Sequence, residues 1–410
     1  MEWIKVKIGD RKYFHLETGS TPSTSEKSYW GGDIVWVTPK DLGKSKQKEI
    51  RKSERMITKE GLAKSSTSLI PQGAIIISTR APIGYVAIAG VELCFNQGCK
   101  AIVSKNTLLL SDYLYYATLS VVSEMKKLGK GATFAEISKA KLESIELLIP
   151  FKDGKPDLAE QKRIAKKLDC LFMMTEQGEG KTKRGISLAG DLFGSYLNNL
   201  FDVKNQEEFQ EIKLGSLCAI AGGSGFPHSH QGRKTEKYPF YKVGDMNTEG
   251  NEVYMIKHNH SISDEDVKNL KVRIYPAGTI IFPKIGGAIA TNKKRILSVP
   301  SAVDNNVMAL APNKDVCPEY LYSYFLNFNL SDWPNKAALP SIRKSDVEKT
   351  LVPIPMKDKN PNYSLQKQLA ENIKTFQEKT LSVSHLSKKS LETLGRFRQS
   401  VLSDAFFHST

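Results

Sequence analysis

The hydrophobic pattern divides the chain into four stretches. In residues 1–156, and again in 206–361, short apolar runs rich in β-branched residues alternate with polar segments that contain proline and glycine. LIPQGAIII at 69–77 and IYPAGTIIF at 274–282 share a Pro-x-Gly element, which predicts a turn leading into a buried strand. In 157–205 and 362–410, apolar residues instead recur three and four positions apart, as on an amphipathic helix. The pattern predicts two heads of mixed structure, each followed by a helical tail.

The two halves repeat each other at a period of 205 residues, half of the 410-residue chain. PDLAEQK at 156–162 corresponds to PNYSLQK at 361–367, and ISKAKLESIELLIP at 137–150 corresponds to IRKSDVEKTLVPIP at 342–355. A self-match at one fixed period indicates a duplicated structural unit. We therefore predict an α+β fold with two pseudo-symmetric mixed α/β domains, 1–156 and 206–361, separated by a long two-helix antiparallel coiled coil formed by 157–205 and 362–410.

The helical tails show a heptad-like stripe. Its predicted seam positions are Ile164, Leu168, Leu171, Leu192, Tyr196, Leu369, Ile373, Phe376, Leu394, Phe397 and Val401. Equivalent faces of a duplicated unit meet about a two-fold axis, so the tails are expected to pair antiparallel. Gly178, Gly180 and Gly185 each weaken the first helix by about 1 kcal/mol relative to alanine, so the prediction allows a kink there.

The amino-acid composition indicates which class of partner the chain binds. The formal net charge is +15, and both halves contribute to it, which favours a polyanion: nucleic acid first, a membrane surface second. With 40% hydrophobic and 25% charged residues and no apolar run of membrane-spanning length, the chain is typical of a soluble globular protein. The start MEWIKVKIGD lacks the pattern of a signal peptide, so we expect a cytoplasmic protein with its five scattered cysteines reduced.

Several sequence motifs, together with the 205-residue repeat, are similar to those of a known protein family. They are GSTPS (19–23), IISTRAPIGYVAIA (76–89), DYLYYAT (112–118), ISKAKLESIELLIP (137–150) and AEQKRIAKKLD (159–169), several of them echoed in the second half. The chain resembles the specificity subunit of type I DNA restriction-modification systems, over its whole length.

The resemblance implies a non-catalytic subunit that binds double-stranded DNA. Each head would read one half of a bipartite, asymmetric target, and the helices would set the spacer and dock two modification (methyltransferase) subunits. Restriction (translocase and endonuclease) subunits would complete the complex. S-adenosylmethionine, ATP and Mg²⁺ are then expected on the partner subunits and no cofactor or metal in this chain.

Catalytic alternatives have weaker support in the residues. NPNY at 360–363 is similar to the N-P-P-[YF] loop of amino-methyltransferases, but its second proline is missing, and PDLAEQK places its acids at a helix start, where they complement the helix dipole. HSH at 228–230 and HNH at 258–260 lie in polar loops without nearby cysteine, and no P-loop is present. Two rivals stay open: a fused methylation or nuclease polypeptide, and a scaffold that binds nucleic acid without sequence preference.

Polar and basic loop residues are the candidate DNA contacts. They are Ser20, Thr21, Lys40, Lys44, Thr79, Arg80, Lys130, Thr133, Ser224, Lys242, Lys284, Asn292, Lys293 and Lys336. Arg80 follows a predicted buried strand, and arginine is the side chain best shaped to bind guanine O6 and N7 together. The six tyrosines of DYLYYAT and PEYLYSYF are expected to pack a helix against the sheet of each head and not to stack on bases.

Overall fold

A computed structural model describes residues 2–45, 47–80, 82–105, 107–129, 136–333 and 340–407. Packing divides the chain into two units. The first comprises residues 1–182 and 388–410, and the second comprises residues 183–387. Each unit therefore contains one head together with part of each long helix.

The described residues of the first head form eleven strands and five short α-helices. The strands are β1 (Glu2–Lys7), β2 (Phe14–Thr18), β3 (Trp30–Val37), β4 (Glu49–Ile50), β5 (Arg55–Ile57), β6 (Ile75–Ser78), β7 (Val86–Ala89), β8 (Cys94–Phe95), β9 (Cys99–Ser104), β10 (Glu146–Lys152) and β11 (Lys155–Pro156). The helices are α1 (Pro39–Lys44), α2 (Lys59–Ala63), α3 (Ser111–Ser120), α4 (Val122–Leu128) and α5 (Lys139–Glu143), and the long helix α6 (Leu158–Phe201) follows.

The described residues of the second head form the same number of strands. They are β12 (Phe209–Lys213), β13 (Cys218–Gly222), β14 (Tyr238–Tyr241), β15 (Tyr254–Met255), β16 (Ser261–Ile262), β17 (Ile280–Pro283), β18 (Arg295–Leu297), β19 (Ala302–Val303), β20 (Val307–Pro312), β21 (Leu351–Lys357) and β22 (Asn360–Pro361). The helices are α7 (Leu214–Leu217), α8 (Asp264–Asn269), α9 (Pro318–Asn327), α10 (Lys344–Lys349) and the long helix α11 (Tyr363–Phe407).

Each head is built from three sheets with one topology. The first has the strand orders β1-β10-β11, β2-β9-β6-β7-β4 and β5-β3-β8; the second has β12-β21-β22, β13-β20-β17-β18-β15 and β16-β14-β19. Strand n of the first head thus corresponds to strand n + 11 of the second. The β4–β7 and β3–β8 pairs are parallel, as are their counterparts β15–β18 and β14–β19, and the other strand pairs are antiparallel. The duplication predicted from the sequence is confirmed strand by strand.

The Pro-x-Gly runs become buried central strands, as predicted. All four residues of β6 and all four of β17 are buried. The tyrosine helices pack against the sheets: Tyr113 and Tyr320 are fully buried, and each donates its hydroxyl hydrogen to a backbone carbonyl at 2.7 Å, of Leu148 and Pro353 respectively. A buried tyrosine with a satisfied hydroxyl contributes to the core and is not available for stacking on bases.

The duplicated glutamine of the two long helices has a structural cause. Gln161 and Gln366 are both fully buried. Gln161 Oε1 accepts from the Leu110 amide at 3.0 Å, and its Nε2 donates to the Leu108 carbonyl at 2.9 Å. Gln366 makes the same pair of bonds with Cys317 N and Asp315 O, at 2.9 and 3.1 Å. Each glutamine fixes the segment that leads into the tyrosine helix, because a buried backbone group left without a partner is costly.

In the first unit the two long helices pair antiparallel. Arg398 Nε donates to Thr175 Oγ1 at 2.6 Å, and Arg398 Nη1 lies 3.1 Å from Glu179 Oε1. Nearer the start of α6, Ile164 and Leu168 share a core cluster with Phe406. Residues nearer the start of α6 therefore contact residues nearer the end of α11, as expected for an antiparallel pair.

The second unit shows the same sense of pairing. Phe376 contacts Tyr196 and Phe193, with ring centroids 4.8 and 6.0 Å apart, and Phe201 packs on the cluster that contains Ala370. Both long helices are continuous, and α6 passes through Gly178, Gly180 and Gly185 without ending.

Two predicted seam positions lie elsewhere. Leu192 is 59% exposed and Phe397 is 45% exposed, while their neighbours Phe193 and Arg398 make the seam contacts. An ideal α-helix drifts by about 20° per heptad from a strict seven-residue repeat, so a seam extrapolated from one end of a long helix shifts by one position.

Candidate nucleic-acid interface

A glycine at a close approach of two backbone segments begins the first loop of each head. A Cβ on Gly19 would lie 2.2 Å from the Phe95 carbonyl oxygen, and a Cβ on Gly223 would lie 2.0 Å from that of Asp304. Only glycine permits this approach of two backbones. Ser20 follows Gly19, with its amide donating to Phe95 O at 3.0 Å, and Thr21 donates its hydroxyl hydrogen to Gln97 Oε1 at 2.6 Å. The predicted residues Ser20 and Thr21 are thus rigidly placed on a loop.

The predicted lysines of α1 form a surface cluster. Lys40 and Lys44 both bind Glu54, at 3.0 and 2.9 Å, and all three side chains are exposed. The hydrogen bonds from Lys44 and Lys40 lower the pKa of Glu54 to about 2. Asp41 on the same helix is buried and accepts from the amides of Thr38 and Glu54, so the exposed charges are two cations and one anion, an excess that phosphate groups can bind.

Thr79 and Arg80 directly follow β6. Thr79 is fully buried, and its hydroxyl donates to the Gly98 carbonyl at 3.2 Å, so it positions the loop rather than facing solvent. Arg80 is exposed, and its Nε lies 2.9 Å from Glu136 Oε2. Binding a base through Arg80 would require exchanging this ion pair for the DNA contact.

The predicted residues of the second head lie on several loops. Ser224 is half-buried, and its amide donates to Val303 O at 2.9 Å; Lys242 Nζ donates to Gln231 Oε1 at 2.6 Å. Lys284 connects two segments through its backbone, accepting from Ile342 N and donating to Asn306 O, both at 2.8 Å. Lys293 donates to the side chain of Asn247.

Asn292 and a buried lysine form one polar group in the second head. Asn292 adopts a left-handed conformation with φ 54°, and its Oδ1 accepts from Lys294 Nζ at 2.7 Å and from Leu330 N at 2.9 Å. Lys294 is only 4% exposed, and burial lowers its pKa to about 8. Asn292 therefore organises a loop around an ammonium group that is costly to bury.

This burial predicts a pH dependence of stability. In the unfolded state Lys294 keeps the ordinary lysine pKa of 10.5. The free-energy cost of burying its charged form therefore reaches its full value below about pH 8 and decreases as the pH rises towards 10.5. We expect the stability of the wild type relative to Lys294→Met to rise between pH 8 and 10.5, measured by urea unfolding across this range. Lys293→Met, which removes the more exposed neighbour, is the matched control; identical pH profiles for both variants would contradict the role of burial.

Three candidates, Lys130, Thr133 and Lys336, lie outside the described residues. The histidine motifs have ordinary partners: His230 Nε2 lies 3.5 Å from Asp266 Oδ1, and His258 Nε2 lies 3.1 Å from the Lys234 carbonyl oxygen. Across the described ranges, no group of three or more His, Cys, Asp or Glu side chains is arranged to hold a metal ion. No helix within those ranges is both long and apolar enough to cross a membrane.

An aromatic platform in the first head was not predicted. Trp30 and Trp36 meet edge to face with ring centroids 5.0 Å apart, and the Arg55 guanidinium carbon lies 3.5 Å from the centre of the Trp30 ring. The indole N–H of Trp36 donates to Ser20 O, and that of Trp30 donates to Ser23 O, both at 3.0 Å. The platform therefore supports the loop that carries Ser20.

The second head has a corresponding aromatic pair. Phe226 stacks on Phe240 with ring centroids 3.8 Å apart, and His260 meets Phe226 edge to face at 5.5 Å. The available sequence signal was the 205-residue spacing of RMIT (55–58) and HSIS (260–263), which places Arg55 and His260 at equivalent positions.

The fold and these surfaces define a duplicated DNA-binding frame: one α+β topology, present twice, carrying different basic and aromatic loops. Comparison with known proteins gives the family. The model of the type I restriction modification DNA specificity domain matches residues 1–184 and again 206–393. The chain belongs to this family and is a sequence-recognition subunit without catalytic activity of its own. Two matched repeats agree with a bipartite target.

Relatives and solved structures are consistent with this membership. The MjaIX specificity subunit of Methanocaldococcus jannaschii is 30% identical over 372 residues, 86% of this chain and 83% of that protein. The EcoR124I/EcoR124II specificity subunit of Escherichia coli is 32% identical over 46% of each chain. A chain from a structural study of type I restriction-modification complex assembly superposes with a TM-score of 0.76 at 16% identity, covering 98% of this chain and 97% of that one. The HsdS subunit of Thermoanaerobacter tengcongensis gives 0.56 at 14% identity, covering 98% and 96%.

Proposed function

We propose that each head reads one half of an asymmetric, interrupted DNA target, and that α6 and α11 set the distance between the halves. The observation that supports this most directly is the identical strand order of two heads whose loops differ in sequence, GSTPSTSEKSYWGG against GGSGFPHSHQGRKT. An identical frame presents the two loops in the same way, and different loops select different bases. Phosphate contacts supply affinity, and base-edge contacts supply sequence choice.

Among the candidate contacts, we assign phosphate binding to Lys40 and Lys44 and guanine recognition to Arg80. The two lysines are exposed and keep an excess positive charge beside Glu54. Arg80 lies two residues after the buried strand β6, is exposed, and pairs with Glu136. Ser20, Thr21, Ser224, Lys242, Lys284, Asn292 and Lys293 complete the proposed contact set.

The long helices are the proposed docking sites for two modification subunits. Their exposed apolar residues support this: Leu188 and Leu192 are 55% and 59% exposed and lie one turn apart on α6. S-adenosylmethionine would bind to those subunits, and ATP with Mg²⁺ to restriction subunits that join the complex in the cytoplasm. A contiguous exposed apolar patch, unlike a single exposed apolar residue, commonly marks a protein interface.

The test is modified-base sequencing of host DNA with the gene intact, deleted and restored. We expect N6-methyladenine in one interrupted, asymmetric motif to disappear on deletion and to return on restoration. If methylation is unchanged while the modification subunits are active, this chain does not direct them. Salt-sensitive binding that any competitor DNA erases would then support the non-specific scaffold.

A further inference from the structure

Arg55 and His260 occupy the same place in the two heads. Arg55 is the cross-strand partner of Trp36 in the β3–β5 pair. In the β14–β16 pair, the Phe240 amide donates to the His260 carbonyl at 2.8 Å, which makes His260 the partner of Phe240. Each residue also stands three positions before the hydroxyl side chain that caps the following helix, Thr58 or Ser263. Strand register and helix cap agree on the equivalence.

Arg55 is preorganised and has unused donors. Its side chain is exposed, and its guanidinium lies flat enough on Trp30 to place the central carbon 3.5 Å from the ring centre. Within the described part of the chain, the guanidinium makes no hydrogen bond or ion pair, in contrast to Arg80. Stacking on the indole fixes the plane of the guanidinium, so less side-chain entropy is lost when its N–H groups bind a ligand.

His260 is held in one tautomer. The Gly232 amide donates to His260 Nδ1 at 2.8 Å, so Nδ1 carries no hydrogen and Nε2 is the donor. Burial and the nearby Lys242 lower the pKa of His260, which favours this neutral form. No hydrogen-bond partner of Nε2 occurs among the residues that the structure describes. His260 therefore offers one oriented donor on an aromatic support, where Arg55 offers several.

Both side chains lie beside corresponding loops whose sequences differ between the heads. Trp36 donates to Ser20 O in the loop after β2, and His260 accepts from Gly232 in the loop after β13. A bulge between Trp30 and Ile34 interrupts the β3–β5 register, a device that commonly redirects side chains next to functional sites.

We propose that Arg55 and His260 are equivalent base-reading residues, one for each half-site. This inference rests on the proposed function and names the residues that determine specificity. Arg55 donates to the two acceptors of a guanine edge in the major groove, and His260 donates through Nε2 to a single acceptor of a base edge. The same structural position thus carries different chemistry in each head, which gives the two half-sites different sequences.

The experiment is modified-base sequencing of host strains that express full-length Arg55→Gln, Arg55→Lys or His260→Gln in place of the wild type. We expect both Arg55 variants to relax discrimination at a position in one half-site by about tenfold to a hundredfold, since lysine keeps the charge but lacks the planar fork. His260→Gln should alter only the other half-site. Arg51→Gln is the matched control, because Arg51 is an exposed arginine nearby that is already paired with Glu49.

Several outcomes would overturn the proposal. An unchanged motif in Arg55→Gln and His260→Gln would show that these residues do not read bases. A uniform loss of methylation in Arg55→Gln that is absent in Arg55→Lys would indicate a phosphate contact instead. Changes in the same half-site for both residues would contradict their equivalence. Circular dichroism melts identify a misfolded variant. If Arg55→Gln is misfolded, the motif methylated with Arg55→Lys tests the role of Arg55. If the wild-type gene directs no methylation at all, the proposed function itself fails, a result seen before any variant is made.

Discussion

Phe406→Ala is expected to destabilise the first unit by about 3–5 kcal/mol, the usual cost of truncating a fully buried phenylalanine. Phe406 is 2% exposed, belongs to the main core cluster of that unit, and lies 5.6 Å from Tyr113 between ring centroids. Removing its ring leaves a cavity among core side chains that come from residues 6–168. Urea unfolding of the full chain measures the loss, and hydrogen exchange of the α3 amides locates it in the first unit.

Phe397→Ala provides the matched control on the same helix. Phe397 is 45% exposed, so its truncation should change stability by no more than about 0.5 kcal/mol. Equal shifts of the unfolding midpoint in both variants would show that Phe406 does not contribute to the core as described.

The second large effect is expected from Leu188→Glu combined with Leu192→Glu. If these exposed leucines contact a modification subunit, two buried carboxylates would weaken association by roughly a hundredfold or more and abolish host methylation. The chain itself should remain folded, because neither side chain is in the core. Co-purification of the complex and modified-base sequencing give the two readouts.

Ser187→Glu adds a charge at an exposed position on another face of α6 and is the control. It should leave both assembly and methylation intact. A double leucine variant that assembles and methylates as the wild type does would place the docking surface elsewhere.

The sequence predicted the duplicated strand arrangement of the two heads well, because short local sequence patterns determine where its strands lie. Pro-x-Gly before β-branched residues identified β6 and β17, and the 205-residue period identified the matching heads. Gln161 and Gln366 were visible as identities, although their role is apparent only from the backbone groups they bind.

The parts that the sequence did not predict depend on packing between distant segments. Leu192 and Phe397 were placed on the seam by a rigid heptad count, whereas the helices use Phe193 and Arg398. The 205-residue spacing relates Arg55 to His260 but does not show what either contacts, since the significance of Arg55 comes from cross-strand pairing with Trp36, nineteen residues away. Strand register of this kind is set by the tertiary fold and not by local preference.

The first unit is formed by two separate segments of the chain, and this determines the order in which the two units can fold during synthesis. Residues 183–387 form the second unit from one continuous segment, but the first unit needs residues 388–410 as well. At about 5–20 residues per second, a ribosome adds Phe406 roughly 10 to 45 s after it has passed Thr182. During that interval Tyr113 and its neighbours lack their final packing partner. The half synthesised first is therefore the last to be completed, and chaperones have time to act on it before its surface closes.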